Sequence, residues 1–282
     1  MYEVVFENNN GKRFTFGPSG CNHFAINMAE GMEITLGKSQ GFAQIGETVE
    51  TQSVSGRHID VTGELYGNIV ERKNALRNTC APLASGRLVL GGTHYIRVYV
   101  KAAPSFSVVK NNGLFKMQFY APFPFFYEST ESYFRIGGMV KNFRFPVNYA
   151  KPHRFGTRQS ARYVNIINPG DVRVPFRMVI RSEGVSTNAT ITNLTTFAYL
   201  KINGSLNTGE YITIYRDDNN VLRAELTSGD TVTDVITWLD DDSYLFELES
   251  GDNLISANDE EGGSALVVSL SFNPAVGVLY ES

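Results

Sequence analysis

The chain has 282 residues, of which 42% are hydrophobic and 19% are charged, and its formal net charge is −4. This composition is typical of a globular protein with one large or two ordinary domains. No run of about 18 apolar residues is present, which excludes a transmembrane helix. The first residues lack the basic and apolar regions of a signal peptide, so we expect synthesis in the cytoplasm and no membrane partner.

The charge divides the chain into three parts. Residues 1–135 carry 13 Lys or Arg against 11 Asp or Glu, residues 136–162 carry 6 against 0, and residues 163–282 carry 6 against 18. The net charges are therefore +2, +6 and −12. We expect an N-terminal domain at 1–135, a basic and aromatic linker or arm at 136–162, and a C-terminal domain at 163–282.

Short alternating segments rich in aromatic and β-branched residues predict strands throughout the N-terminal part. One helix is predicted at 68–80, with Asn68 as its N-cap, Glu71 at the capping-box position and Pro82 after its end. The predicted strands are residues 2–6, 13–16, 32–36, 57–65, 87–90, 95–101 and 114–120.

The N-terminal part ends in a run rich in proline and phenylalanine, at residues 121–127. Its two prolines forbid a central strand, because proline cannot donate a ladder hydrogen bond. Soluble monomers rarely leave adjacent large apolar side chains bare, so we expect a second domain or subunit to cover this run. The candidate interface side chains here are Phe123, Phe125, Phe126 and Tyr127.

The basic segment at 136–162 interleaves arginine and lysine with aromatic residues. Such a pattern can form a nucleic-acid surface, and it can also dock on an acidic domain or on a neighbouring subunit. We favour a protein contact and expect no sequence-specific nucleic acid. The candidate interface residues of this segment are Arg154, Arg158 and Arg162.

The C-terminal part is predicted to be a β-sandwich, because it contains many short strands separated by polar turns. Turns are expected at Asn203-Gly204 and at residues 217–220. With 19 Phe and 14 Tyr, residues enriched in pleated sheets, the whole chain is expected to be mostly β. The predicted strands are residues 161–167, 174–181, 189–194, 197–202, 211–216, 221–227, 244–248 and 265–272.

No motif for catalysis or metal binding is present. Cys21 and Cys80 lack a second cysteine or histidine at metal-ligand spacing, which indicates two free, partly buried thiols, with a disulfide as the alternative. No nucleophile elbow, phosphate loop or metalloprotease motif occurs. Acidic loops at 240–242 and 259–263 could bind calcium, but no loop repeats an EF-hand spacing, and the acidic residues at 217–220 are better explained as a hairpin turn. We expect no catalytic residue, no cofactor and no bound metal.

Three tyrosines of the C-terminal part suggest a different kind of site. Tyrosine rings offer apolar faces with polar tips, which suits the binding of sugars. Cross-strand packing explains the same residues equally well. The candidate sugar-facing side chains are Tyr199, Tyr211 and Tyr215.

A set of short motifs follows one another along the chain. Those of the C-terminal part are Asn168-Pro-Gly170, Pro175 and the segments 188–195, 206–212 and 248–254. Those of the N-terminal part are the segment 6–12, the strand at 57–63, the helix with Arg72 and Leu76, and the segment 121–125. Their order, over nearly the whole chain, resembles that of the distal tail proteins of long-tailed phages with non-contractile tails.

The resemblance implies a β-rich N-terminal domain with one helix that forms a belt, followed by a β-sandwich of galectin-like or carbohydrate-module-like appearance. It implies a non-enzymatic structural protein of the virion, at the distal end of the phage tail. Six copies would form a ring that joins the tail tube protein to tail-tip, baseplate or receptor-binding proteins and leaves a channel for DNA. The alternative is an adhesin that recognises a host cell-wall sugar. A cell-wall hydrolase would need a carboxylate pair that the sequence does not identify.

Overall fold

The computed structural model describes residues 3–17, 21, 23–27, 33–107, 113–137, 139–141, 156–158, 163–217, 220–260 and 265–279. The chain folds into two compact units and is mostly β, as the sequence predicted. The first unit consists of Met1–Thr130 together with Ala275–Ser282, and the second of Glu131–Pro274. This division differs from the three parts expected from charge, because the chain returns to the first unit at its end.

The bounds of the secondary-structure elements are as follows. The first unit contains the helix α1 (Ile69–Thr79) and the strands β1 (Val4–Asn8), β2 (Arg13–Phe16), β3 (His23–Asn27), β4 (Ile34–Ser39), β5 (Thr48–Val54), β6 (Arg57–Leu65), β7 (Ser85–Leu90), β8 (His94–Phe106), β9 (Gly113–Ala121) and β10 (Phe126–Glu128). The second unit contains the strands β11 (Ser132–Ile136), β12 (Met139–Lys141), β13 (Gly156–Arg158), β14 (Tyr163–Asn168), β15 (Arg177–Ser182), β16 (Ser186–Thr187), β17 (Thr190–Asn193), β18 (Tyr199–Lys201), β19 (Ser205–Leu206), β20 (Tyr211–Arg216), β21 (Leu222–Ser228), β22 (Thr231–Asp234), β23 (Gly251–Asn258) and β24 (Leu266–Phe272). The strand β25 (Ala275–Val276) belongs to the first unit.

The first unit is built on one large antiparallel sheet with the strand order β2-β1-β7-β8-β9-β6-β3. Alternate side chains of β1, β6 and β9 are buried, as the two-residue period of a half-buried strand requires. Phenylalanine fills much of this core: the ring centroids of Phe6 and Phe119 lie 4.9 Å apart, and those of Phe16 and Phe115 lie 6.2 Å apart. The alternation of the sequence therefore determines which face of the sheet is apolar.

The helix α1 begins at the cap that the sequence predicted. The Oδ1 atom of Asn68 accepts a hydrogen bond from the main-chain N–H of Glu71 at 3.3 Å, and its Nδ2 donates to Glu71 Oε2 at 2.9 Å. Leu76 is buried against the sheet. At the other end of the helix, the buried Asn8 donates from Nδ2 to the carbonyl of Thr79 at 3.0 Å, which joins the helix to the turn after β1.

The first unit is completed by the last described strand of the chain. Strand β10 pairs with β8 on one side and with β25 on the other, so β25 extends the sheet system of this unit. Ala275 is fully buried there. No feature of the sequence predicted this return, because Ala275 and Val276 are too few residues to give a strand pattern.

The second unit contains a six-stranded sheet with the order β11-β24-β15-β20-β21-β22 and a four-stranded sheet with the order β14-β23-β17-β18. Each sheet buries one apolar face, and the sheets contact each other where β11 meets β14 and where β23 meets β24. This is the predicted sandwich architecture. The buried side chains include Met178, Ile180, Ile212, Ile214, Val268 and Leu270 from the first sheet, and Ile166, Ile191, Leu200, Ile255 and Ala257 from the second.

Buried asparagines hold the connections at one end of the four-stranded sheet. Asn253 accepts from the main-chain N–H of Glu249 at 3.0 Å and donates to the carbonyls of Glu249 and Gly251. Asn168 accepts from the N–H of Gly170 at 3.0 Å, and Asn193 accepts from the N–H of Thr195 at 2.9 Å. Three of the C-terminal motifs therefore contain a buried asparagine whose side chain forms hydrogen bonds with main-chain groups of a turn.

Several predicted elements were wrong. Residues 244–248 do not form a strand, and only Leu248 makes a bridge, to Val174. The strand Gly251–Asn258 was missed because Asp252 and Asn253 interrupt its apolar pattern. The strand Ser132–Ile136 lies across the expected domain boundary and pairs with β24 of the second unit.

Candidate interaction surfaces

The described residues contain no arrangement typical of a catalytic or metal centre. Within them, no group of three or more His, Cys, Asp or Glu side chains could hold a metal ion. A general acid needs a raised pKa, whereas hydrogen bonds from Arg13 and Arg87 lower the pKa of Glu7, and one from the main chain of Asn207 lowers that of Glu210. No helix in the described ranges is long and apolar enough to span a bilayer.

The run at 121–127 contributes both to the core and to the surface of the first unit. Phe126 is 2% exposed and lies beneath the guanidinium of Arg57, whose Cζ is 4.8 Å from the ring centroid, so its ring is a core side chain rather than an exposed patch. Phe123 is 38% exposed, and Phe125 is half-buried. Tyr127 stacks on Tyr95 with a centroid distance of 5.7 Å. Phe123 is therefore the most accessible of the predicted interface residues in this run.

The basic arm is described only in part. Arg154 and Arg162 lie outside the described residues. Arg158 ends β13, which pairs with β12 in antiparallel register, and the description of Arg158 is limited to its backbone. Of the predicted linker, residues 139–141 and 156–158 therefore form a two-stranded ladder.

The hairpin of β4 and β5 was not predicted as an interaction surface from the sequence, yet among the described residues of the first unit it carries the most exposed apolar side chains. Every described residue of β5 is exposed, and the residues that connect the two strands are exposed as well. Phe42 and Ile45, in that connection, are fully exposed. The two strands pair over six residues with a bulge between Gly37 and Lys38, and Lys38 makes an ion pair with Glu47 at 2.9 Å. A hydropathy pattern cannot show that a short strand pair lacks a covering layer.

The three predicted sugar-facing tyrosines do not share one face. Tyr211 and Tyr215 lie on β20 of the six-stranded sheet, whereas Tyr199 lies on β18 of the four-stranded sheet. The guanidinium of Arg177 covers the ring of Tyr215 at 5.2 Å, and that of Arg181 covers Tyr211 at 5.5 Å. The hydroxyl of Tyr215 donates to Glu225 at 2.9 Å, and this carboxylate raises the pKa of Tyr215. The rings of Tyr211 and Tyr215 are thus engaged in packing within the sheet.

The outer face of the four-stranded sheet carries a row of hydroxyl-bearing side chains that crosses all its strands. In the observed register Tyr163 is opposite Ser256, Ser256 is opposite Thr192, and Thr192 is opposite Tyr199. Tyr163 is 62% exposed. Neither Tyr163 nor Ser256 is a predicted site residue, because a row across strands depends on pairing between residues far apart in the chain.

The fold of this chain, a β-rich unit with one helix followed by a two-sheet unit, is similar to that of one solved phage protein. SPP1 Dit (gp 19.1), a paradigm of the hub adsorption apparatus in phages that infect Gram-positive hosts, aligns over 97% of this chain and 99% of its own, with a TM-score of 0.67 and 12% sequence identity. At this identity, the alignment establishes a shared fold.

Two further solved structures align over most of the chain. They are the phage P2 baseplate in its activated conformation with Ca, at 14% identity over 96% of this chain and 97% of the other, and the same baseplate with Sr, at 12% identity over 96% and 98%. Their TM-scores of 0.44 and 0.45 are too low to support a further conclusion. No protein-family model and no curated protein matches the chain.

Proposed function

We propose that this protein is a structural hub at the distal end of a phage tail, where it acts by assembly and not by catalysis. The fold that it shares with SPP1 Dit over 97% of the chain supports this proposal. The order of the sequence motifs supports it independently of the fold. As a hub of the virion, the protein would join the tail tube protein to tail-tip, baseplate and receptor-binding proteins.

The observation that carries an assembly function is the exposed hairpin of β4 and β5. Exposed apolar groups such as Phe42 and Ile45 favour burial in a contact, because removing apolar surface from water is favourable. A hairpin that meets a different surface of the next copy gives a heterologous contact, and such contacts form a ring when the rotation from one copy to the next closes on itself. We propose a ring of six copies with a central channel through which DNA passes.

The other predicted interface residues would form additional contacts beside the hairpin. Phe123, Phe125 and Tyr127 would contact the adjacent subunit or a tail protein at the margin of the first unit. Arg154, Arg158 and Arg162 would contact an acidic surface, since the C-terminal part of each chain carries a large excess of carboxylates.

The test is the absolute mass of the purified protein, measured by light scattering over a range of concentrations at low and high salt. One subunit is 31.3 kDa, and six would give about 190 kDa. The double variant Phe42→Ser, Ile45→Ser is expected to dissociate the assembly at concentrations where the wild type is intact. Val70→Ser, which changes an exposed apolar residue of α1, is the matched control and is expected to leave the mass unchanged.

A monomer at every concentration would contradict self-assembly into a ring. A hexamer that tolerates the double variant would retain the hub proposal and reject the hairpin as its contact. The triple variant Arg154→Ala, Arg158→Ala, Arg162→Ala separately tests the arm, and an unchanged mass and salt resistance of the hexamer would reject the arm as a subunit contact.

A further inference from the structure

The outer face of the six-stranded sheet in the second unit separates its positive and negative charges. Strand β15 presents two exposed arginines, Arg177 and Arg181. Two strands further along the sheet, β21 presents Glu225, and Asp234 of the edge strand β22 lies directly opposite it. One half of this face is therefore positive and the other half is negative.

The contacts of these groups place them on one face of the sheet. Arg177 covers the ring of Tyr215, and the hydroxyl of Tyr215 donates to Glu225 at 2.9 Å. Arg181 is four residues after Arg177 on the same strand, so the alternation of side chains directs it to the same face. Asp234 also lies on this face, because directly opposite residues of an antiparallel pair share a face.

Within the described part of the chain, none of the four charged groups forms an ion pair. The two arginines of β15 are stacked on tyrosine rings, a contact that leaves guanidinium N–H donors available for a carboxylate. Glu225 and Asp234 are like charges directly opposite each other, which is unfavourable by itself. In contrast, Arg223 of the same face is already paired with Asp217 at 3.0 Å.

A second copy of this face is complementary to its charge pattern. When two copies meet about a two-fold axis that runs along the strands between β20 and β21, β15 of each copy lies over β22 of the other. The register places Asp234 in the row of Val179. Arg177 and Arg181 lie in the rows on either side, each about 6.8 Å along the strand. The partner carboxylate is thus within reach of two long side chains.

Other charged partners would fit only half of the face. A polyanion would be repelled by Glu225 and Asp234, and a polycation would be repelled by the two arginines of β15. A copy of the same surface meets opposite charge on both halves. Contacts that use the same patch on both copies are also the commonest kind in symmetric assemblies of soluble proteins.

We propose that the outer face of the six-stranded sheet binds the same face of a second copy about a two-fold axis, with the two arginines of β15 in each copy against Glu225 and Asp234 of the other. Neighbours in a cyclic ring of six are not related by a two-fold axis. This contact would therefore be additional to the proposed ring, and it does not rest on it. It would join two single copies or two assemblies.

The experiment is light scattering of the full chain at about 0.01 M and about 0.5 M salt, at protein concentrations up to roughly 0.5 mM. The mass at low salt is expected to approach twice the mass at high salt. The same doubling is expected in the Phe42→Ser, Ile45→Ser background, which removes the proposed ring contact and leaves this face intact. A failure of the ring proposal is therefore distinguishable from a failure of this one.

Two charge-reversal variants test the face itself. Arg177→Glu, Arg181→Glu makes the four charges negative, and Glu225→Lys, Asp234→Lys makes them positive. Each variant alone is expected to pair at least about tenfold more weakly than the wild type, because like faces repel. An equimolar mixture of the two is expected to pair again, a recovery that loss of structure would not allow.

Asp241→Lys, Asp242→Lys is the matched control. It reverses the same number of charges in an exposed loop beside the four-stranded sheet and is expected to pair like the wild type. Far-UV circular dichroism of each variant verifies that the fold is retained. A mass that is equal at the two salt levels at every concentration overturns the proposal. Pairing that survives both charge reversals, or a mixture that stays unpaired, overturns it as well.

Discussion

The guanidinium of Arg57 donates a hydrogen bond of 2.8 Å from Nη2 to the main-chain carbonyl of Gly277, which lies 220 residues further along the chain. Arg57 begins β6, is 6% exposed, and packs over the ring of Phe126. Burial lowers the pKa of this guanidinium from its ordinary value. A single side chain thus joins the start of a core strand to the segment that follows the second unit.

Replacing Arg57 with Met should destabilise the first unit. Methionine retains apolar packing over Phe126 but leaves the carbonyl of Gly277 without its charged donor, so we expect a loss of about 1.5–3 kcal/mol in the free energy of unfolding. Urea denaturation followed by circular dichroism measures this loss. Arg13→Met, at an exposed ion pair with Glu7, is the control and should cost less than about 1 kcal/mol. Equal effects of the two variants would show that the Arg57 hydrogen bond contributes little.

The cap of α1 gives a second prediction. Asn68→Ala removes the side chain that accepts from Glu71 N–H, and we expect a loss of about 1 kcal/mol in the stability of the first unit. Asn74→Ala, at an exposed position within the same helix, is expected to be neutral or slightly stabilising because alanine has the higher helix propensity. If the two variants have the same stability, the cap is not a determinant of this helix.

Position 204 requires glycine because the indole of Trp238 lies too close for a Cβ atom, and not because the backbone has a positive φ. A Cβ atom at this position would lie 2.4 Å from Cε3 of Trp238, which is the single tryptophan of the chain. Gly204→Ala must displace the indole, and we expect a loss of about 1–3 kcal/mol together with a shift in tryptophan fluorescence. Gly184→Ala, whose Cβ would meet Ala265 at 3.4 Å, should leave both measurements near the wild-type values. An unshifted emission spectrum for Gly204→Ala would argue against this packing.

Cys80 gives a prediction for alkaline pH. Burial raises the pKa of its thiol from 9.0 to about 12. The native state therefore keeps the proton at pH values where the unfolded chain has lost it, so the contribution of this thiol to stability is complete below pH 9 and falls as the pH rises towards 12. Denaturation of the wild type between about pH 7 and about pH 11 should show a steeper loss of stability than denaturation of Cys80→Ala. Parallel curves for the two proteins would refute a buried, protonated thiol.

Local patterns in the sequence predicted elements with clear alternation and clear ends. The strands Arg13–Phe16, Arg57–Leu65 and Tyr211–Arg216 have the predicted bounds, because period-two alternation and a turn or cap define each of them. The helix was predicted from a cap and a following proline, which are also local signals. The mostly β fold class could be predicted because many such local strand patterns, and one helix pattern, follow one another along the chain.

The interaction surfaces depend on contacts that no local pattern contains. Phe126 was grouped with exposed phenylalanines, yet Arg57 and β25 cover it from distant parts of the chain. Tyr199 was grouped with Tyr211 and Tyr215, although its strand pairs with β17 in the other sheet. The face of a strand can be read from alternation, but the neighbours on that face depend on which strands pair.

The return of the chain to the first unit has a consequence for biosynthesis. A ribosome makes all of the second unit, Glu131–Pro274, before it makes β25, so the first unit lacks one of its strands throughout the synthesis of the second. Until β25 emerges, β10 keeps one edge unpaired and Phe126 has less cover. The unit whose synthesis begins first thus completes its sheet only after the whole of the second unit has been made.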